Sequence, residues 1–242
     1  MIDDKKLLAI IPARGASKRL PRKNILDLSG KPLIAWTIEA ALGSKYIDRV
    51  VVSTDDQEIA NIAKKYGADI PFIRPSELAT DQTTSVDVVL HLLNQLEKIE
   101  DKYDYVILLQ PTSPLRTAKN IEEAIKLLRT KNSDAVISVC ESEHPPLWYN
   151  TLPDDMSMDN FLDASIKNKR SQDLPKQYRI NGAIYISSIE RLRNESSFFL
   201  SENCHAYIME QNVSIDIDTI DDFDLALLRI SNSTNQKIKK NH

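Results

Sequence analysis

Along this chain, short continuous apolar runs alternate with amphipathic stretches at helical spacing. Leu7 to Pro12 holds five apolar residues closed by a proline. A run without a polar side reads as a strand covered on both faces. Leu33, Ile34, Trp36, Thr37, Ile38, Ala40 and Ala41 then form a helical stripe, after a turn at Gly30-Lys31-Pro32. Arg49 to Thr54 predicts a second buried strand, with Asp55 and Asp56 at the N-terminus of a helix over 57–66 that Gly67 ends. Ala68 to Ile73 predicts a further short strand, and Thr83 to Leu96 a helix with Val86, Val89, Leu90 and Leu93 on one face. Tyr105 to Leu109 gives the clearest strand in the middle of the chain. A helix over 121–128 and a strand over 135–139 follow. Strand–helix alternation predicts an α/β fold in three layers, a mostly parallel sheet with helices on both faces.

From Glu141 the alternation stops. Residues 141–180 carry prolines, charges and aromatics in no period, including His144-Pro145-Pro146-Leu147-Trp148-Tyr149. This reads as an excursion from the sheet, a lid or a dimer arm, whose exposed aromatics favour a contact surface. Strand patterns return at Gly182–Ser187 and Ala206–Met209, and Val213 to Asp218 alternates as V-S-I-D-I-D, a predicted strand. A closing helix is expected over 219–228, and the polar residues 231–242 are expected to fray. No internal repeat is visible.

Charge changes the picture at one place. The net charge is −4, which speaks against a nucleic-acid binder, yet the loop after the first strand holds Arg14, Lys18, Arg19, Arg22 and Lys23 with no acidic residue among them. Gly15 and Ala16 leave little side-chain bulk, so backbone amides there can approach a ligand closely. A strand ending in a small-residue basic loop suits several negative charges, a triphosphate above all; a solvated surface loop is the bland alternative. The loop is neither GxGxxG nor GxxxxGKS/T. Ligands of open parallel sheets bind beyond the carboxyl ends of the strands. The basic loop, Gln110-Pro111-Thr112-Ser113-Pro114-Leu115-Arg116 and the end of SIDID fall there. Asp216 and Asp218, two apart on the expected strand, share a face and offer oxygen ligands to a hard cation; they also fit the solvated side of an edge strand.

The remaining composition narrows the class. With 42% hydrophobic and 27% charged residues, the 242-residue chain fits a soluble globular enzyme. Two cysteines, Cys140 and Cys204, make no disulfide framework, and the four histidines have no metal-ligand spacing. The polar start and short apolar run suit neither a signal peptide nor a membrane span, so the cytoplasm is the expected compartment.

IPARGASKRLPRKN, STDD, RPSELATD, QPTSPLR, RINGAIYI and SIDIDT, in this order, resemble the N-acylneuraminate cytidylyltransferases from about Leu8 to Leu228. IAWTIEAA and HPPLWYNTL place the likeness nearest the bacterial legionaminic-type members. The resemblance implies a Rossmann-like nucleotidyltransferase body at 1–140 and 181–230, a small inserted dimerisation arm at 141–180, and a homodimer. It implies transfer of CMP from CTP to the anomeric hydroxyl of a nonulosonic acid, with release of pyrophosphate. Arg14 and Lys23, with Gly15 and Lys18 nearby, would meet the phosphates, and Asn24, Arg74 and Ser85 the cytidine part. Gln110 would reach the sugar acid, and Arg179 its carboxylate or the partner's site. Arg170 would add a basic contact, and Tyr185, Phe198 and Phe199 would line the sugar pocket. Asp216 and Asp218 would hold Mg²⁺ or Mn²⁺. Arg14, Lys23, Asp216 and Asp218 are thereby the expected catalytic set. The proton acceptor is open between a metal-coordinated water and Asp218.

Two departures stand out. Ser171 replaces a frequent arginine of RRQDLP, removing one expected basic contact, and Ala16 replaces a common glycine. The rival readings are a 3-deoxy-manno-octulosonate cytidylyltransferase, a pseudaminate-specific member, a non-catalytic nucleotide-binding module, and a scaffold that dimerises through 141–180. QPTSPLR and RINGAIYI favour the neuraminate group.

Overall fold

A computed structural model describes residues 4–240, the side chains of 234–240 excepted. Six strands form one sheet: β1 (Leu7–Pro12), β2 (Arg49–Ser53), β3 (Tyr105–Leu108), β4 (Ala135–Glu141), β5 (Tyr178–Ser188) and β6 (Cys204–Met209), in the order β2-β1-β3-β5-β4-β6. β1 pairs in parallel with β2 and β3, and β4 with β6, while β5 runs antiparallel between β3 and β4. The helices are α1 (Leu33–Leu42), α2 (Gln57–Lys65), α3 (Ser85–Glu97), α4 (Ala118–Lys131), α5 (Ile189–Glu195) and α6 (Ile220–Lys240).

The unbroken apolar run of β1 follows from helices on both faces. Side chains alternate along a strand. Leu7, Ala9 and Ile11 therefore pack with Ile34 and Ile38 of α1 and Ile121 and Ile125 of α4. Leu8 and Ile10 pack with Val89, Leu92, Leu93 and Leu96 of α3. Each buried aliphatic contributes about 1.5–3 kcal/mol relative to exposure. Truncation of Ile10 to Ala would thus cost about 2–5 kcal/mol. Side-chain caps start the helices at the sheet's edge. Asp56 accepts from the Glu58 and Ile59 amides, and Thr84–Asp87 and Thr117–Asn120 form capping boxes.

The structure departs from the expected elements in several places. Residues 68–73 make a single bridge, Val51 to Asp69, instead of a strand. The V-S-I-D-I-D segment is not a strand: Gln211–Val213 is a 3-10 turn, and the following residues are extended without a ladder. Its burial still alternates, with Ile215 and Ile217 inside. Its neighbour is the loop after β3, whose Thr112 carbonyl accepts from the Ile217 amide at 2.8 Å, so no strand partner is on offer. The short α5 was not expected, and α6 takes in polar residues expected to fray, of which 241 and 242 lie outside the described residues. Between β4 and β5 the chain holds only two 3-10 turns, Pro146–Trp148 and Ser171–Asp173. Cys140 and Cys204 are free thiols. No helix among the described residues is long and apolar enough to cross a membrane.

One irregularity shapes the site. The β4–β5 register slips between Ile137, opposite Tyr185, and Val139, opposite Ile180, so residues 181–184 bulge from β5. Gly182 sits in the bulge at φ +73°, a conformation that favours glycine. A buried polar network fixes it. Ser138 Oγ donates to Asn181 Oδ1 at 2.6 Å and accepts the Ile184 amide at 2.8 Å, and Asn181 Nδ2 donates to Ser214 Oγ at 2.9 Å. The same network ties the bulge to the segment that carries Asp216 and Asp218.

Candidate active site

A cavity of about 520 Å³ opens at the carboxyl ends of β1 and β3, bounded by Pro12 on one side and Gln110 and Pro111 on the other. The basic loop forms one wall through Arg14, Lys18, Arg19, Lys23 and Asn24. Arg74 and Ser85 close a second wall, and Asp216 and Asp218 stand opposite the loop.

The loop is held open by its backbone and by carboxylates behind it. Arg22 takes a left-handed conformation, φ +58°, and its guanidinium pairs with Asp56 and Glu58 of the α2 N-terminus. That turns Lys23 inward, where Nζ donates to the Ile217 carbonyl at 2.8 Å and to Asp218 Oδ1 at 3.0 Å. Asn24 Nδ2 donates to the Arg14 carbonyl at 3.0 Å. The Gly15 amide donates to Asp55 Oδ1 at 3.1 Å, and a Cβ on Gly15 would meet Asp56 Oδ2 at 2.7 Å. Asp55 also pairs with Arg74 at 3.4 Å. Burial lowers the Arg74 pKa, with Asp55 opposing that shift and Arg14 adding to it.

Four of the loop's cations already have carboxylate partners around the cavity. Asp81 pairs with Arg14 at 2.9 Å and with Lys18. Asp218 takes Lys23 and, at 3.0 Å, Arg19. Neither Asp81 nor Arg19 was singled out in the sequence for a site role. Asp81 closes the RPSELATD motif, but no role attaches to it there, and Arg19 enters only as one cation of the basic run.

Asp216 reaches solvent through the cavity, yet the surrounding protein desolvates it and raises its pKa. A hydrogen bond to Thr112 opposes the rise, and repulsion from Asp218 adds to it. Two hard carboxylates that repel each other across a cavity mouth fit a divalent cation. Among the described residues no cluster of three or more His, Cys, Asp or Glu could hold a metal. A cation here would draw its other oxygens from a bound anion and from water.

On the far side, Gln110 lies against the bulge of β5. A Cβ on Gly182 would stand 2.7 Å from Gln110 Oε1 and 3.7 Å from Asp216 Oδ2, so three residues converge there without a side chain between them. Tyr185, Phe198 and Phe199 do not form the wall of this cavity. They make a ring cluster beside it, with centroids 5.8 Å and 6.2 Å from Tyr185. Burial, and secondarily the Asp216 charge, raises the Tyr185 pKa. Arg179 is exposed and donates to the Ser214 carbonyl at 3.3 Å. Arg170 stands on the 141–180 segment, paired with its own Asp173 at 2.9 Å, and is not brought to the cavity.

A family model described as cytidylyltransferase matches residues 8–226. An N-acylneuraminate cytidylyltransferase of Escherichia coli is 41% identical over 234 residues, 96% of this chain and 54% of that protein. The chain therefore spans about half the length of that relative. A pseudaminic acid cytidylyltransferase of Campylobacter jejuni is 38% identical, with 91% of this chain and 94% of that protein covered. A CMP-N,N'-diacetyllegionaminic acid synthase of Legionella pneumophila is 38% identical, covering 88% and 91%. Among solved structures, CMP:2-keto-3-deoxy-manno-octonic acid synthetase complexed with CTP superposes with a TM-score of 0.70 at 19% identity, over 94% of this chain and 99% of that one. At that identity the likeness concerns the fold.

Proposed function

The chain belongs to the cytidylyltransferase family, and from that premise we propose that it transfers CMP from CTP to a nonulosonic acid of the sialic or legionaminic type. One observation carries the reading: the cationic loop and the two aspartates, from opposite ends of the chain, line one cavity together with Gln110, and Lys23 and Arg19 already meet Asp218 there. Relatives at about 40% identity named for N-acylneuraminate and legionaminic acid support it, and the pseudaminic one supports a nonulosonic acid more broadly.

The anomeric hydroxyl attacks the α-phosphorus of CTP; a P–O bond forms, the bond to the bridging oxygen breaks, and pyrophosphate leaves. Both reactants are anions, so their approach needs countercharge. Arg14, Lys18 and Lys23 exchange their carboxylate partners for phosphate oxygens, which keeps the loop's charge compensated before and after binding. Asn24, Arg74 and Ser85 hold the nucleoside end. Gln110 orients the acid over Gly182, where the absence of a side chain lets it approach. Asp216 and Asp218 would hold Mg²⁺ or Mn²⁺, which when bound offsets phosphate charge. Positioning and fixed charge supply most of the rate in such transfers.

We read 1–140 and 181–230 as the catalytic body and 141–180 as a dimerisation arm. Tyr149, Met156 and Met158 on the arm and Tyr178 and Ile180 on β5 are exposed, which supports a homodimer. Arg179 then serves the sugar carboxylate, within one site or across to the partner's, while Arg170, away from this cavity, serves only the partner's. The use of CTP assigns the reaction to the cytoplasm.

The test is pyrophosphate release from CTP with a panel of nonulosonic acids and 3-deoxy-manno-octulosonate. Release with a sialic or legionaminic acid supports the reading, and release with pseudaminate alone overturns it. Release with the eight-carbon acid alone, or none at all, overturns it. Sedimentation tests the dimer: a fully active monomer removes the shared site.

A further inference from the structure

The side chain of Arg116 is enclosed behind Gln110, one of the cavity's lining residues, 2% exposed. Its Nη1 donates to the Ala183 carbonyl at 2.9 Å and to the Gln110 carbonyl at 3.3 Å. Its Nε and Nη2 have no hydrogen-bond partner, and no carboxylate pairs with it, among the described residues. Burial alone pulls its pKa down to about 9. An enclosed cation with two idle donors costs folding free energy and asks for another reason.

The two carbonyls supply that reason. One belongs to Gln110 itself, and the other to the residue after Gly182. The clamp therefore sets the distance between the backbone of Gln110 and the bulge on which its amide rests, 2.7 Å from where a Gly182 Cβ would be. Thr37 Oγ1, fully buried on α1, donates to the same Gln110 carbonyl at 3.4 Å. Asp216 Oδ2 lies 3.7 Å from the same position.

We propose that Arg116 is a positioning residue for the acid: it clamps Gln110 to the bulge at Gly182. The assignment of the acid rests on the function proposed above; the clamp itself does not.

Arg116→Met and Arg116→Lys test it, with two independent readouts. In steady-state kinetics Arg116→Met should raise KM for the acid by about tenfold to a hundredfold, the range for a lost hydrogen bond to a charged group. KM for CTP should stay within about twofold, and Arg116→Lys should recover part of the loss. Equal rises in both KM values, or none, would overturn the proposal. In ligand-free crystals of Arg116→Met, Gln110 Oε1 should leave Gly182; an unmoved Gln110 overturns the clamp whatever the activity. If Arg116→Met does not fold, Thr37→Val removes the other side-chain donor to Gln110, and an unchanged acid KM there counts against the clamp. Wild-type enzyme inactive with every acid would sink the proposed function, while the Gln110 displacement would still decide the clamp.

Discussion

Lys23 and Asp218, 195 positions apart, meet at 3.0 Å, and the same ammonium holds the Ile217 carbonyl at 2.8 Å. The beginning and the end of the catalytic body are thus joined through a residue whose charge also faces the triphosphate's expected place. The pairing makes Lys23 a structural tie, which the proposed function would turn into a phosphate contact on CTP binding.

Lys23→Ala should lower kcat/KM by about 10²–10³-fold, as for the loss of one preorganised donor to developing charge. Its far-ultraviolet dichroism should be unchanged, because the backbone around it is held by Arg22 and Asn24. Turnover near the wild-type level would take Lys23 out of the mechanism.

Asp216→Asn removes a desolvated charge that Asp218 repels. The ligand-free protein should melt at or above the wild-type temperature, while activity falls by about a hundredfold or more, since a bound divalent ion supplies several kcal/mol of charge stabilisation. Calorimetric titration of Mg²⁺ or Mn²⁺ with CTP present should show weakened binding. Metal binding as tight as in the wild type would remove Asp216 from the ion's ligands.

Gly15→Ala would place a Cβ 2.7 Å from Asp56 Oδ2 and 2.9 Å from its Cβ. Asp56 cannot yield easily, because it caps α2 and holds Arg22. Overpacking of this kind costs about 1–3 kcal/mol. Urea denaturation should show that loss, and CTP should bind more weakly as the loop moves; a variant as stable as wild type would mean that the loop absorbs the methyl.

Asp56 also gives a pH dependence. The Arg22 hydrogen bond, opposed by burial and aided by the Ile59 and Glu58 amides, holds its pKa below the ordinary 3.8. A carboxylate lowered on folding contributes stability that is complete above the unfolded pKa and lost as pH falls through the folded value. Asp56→Asn keeps the cap and removes the charge. Wild type should exceed it in stability at pH 7, and the gap should close on acidification below about pH 4. A gap that stays constant to pH 3 would show that the charge contributes nothing.

Much of this was readable beforehand, for identifiable reasons. Leu7–Pro12 had to be covered on both sides, and it is. The crowd of cations at 14–23 had to face something negative, and Asp81, Asp218 and Asp56 are there. Alternation at 215–218 foretold which side chains turn inward but not the hydrogen-bond partner, so a strand was expected where an extended loop lies against Thr112. The antiparallel entry of β5 had no signal in its apolar run, since strand direction leaves no mark on periodicity. Arg116 reads as one more polar residue of a loop, and only its enclosure beneath Gln110 and Ala183 distinguishes it.

The linear order of residues determined the local matters: which side chains share a face, where helices begin, and that one short loop carries concentrated positive charge. These depend on spacings of two to four residues, which a chain carries in itself. Tertiary structure decided that β5 would insert between β3 and β4, that its bulge would bring Gly182 to Gln110 and Asp216, and that Lys23 would find Asp218. Those meetings arise from packing two apolar faces of one sheet at once, a condition on the whole chain that no short window of residues contains.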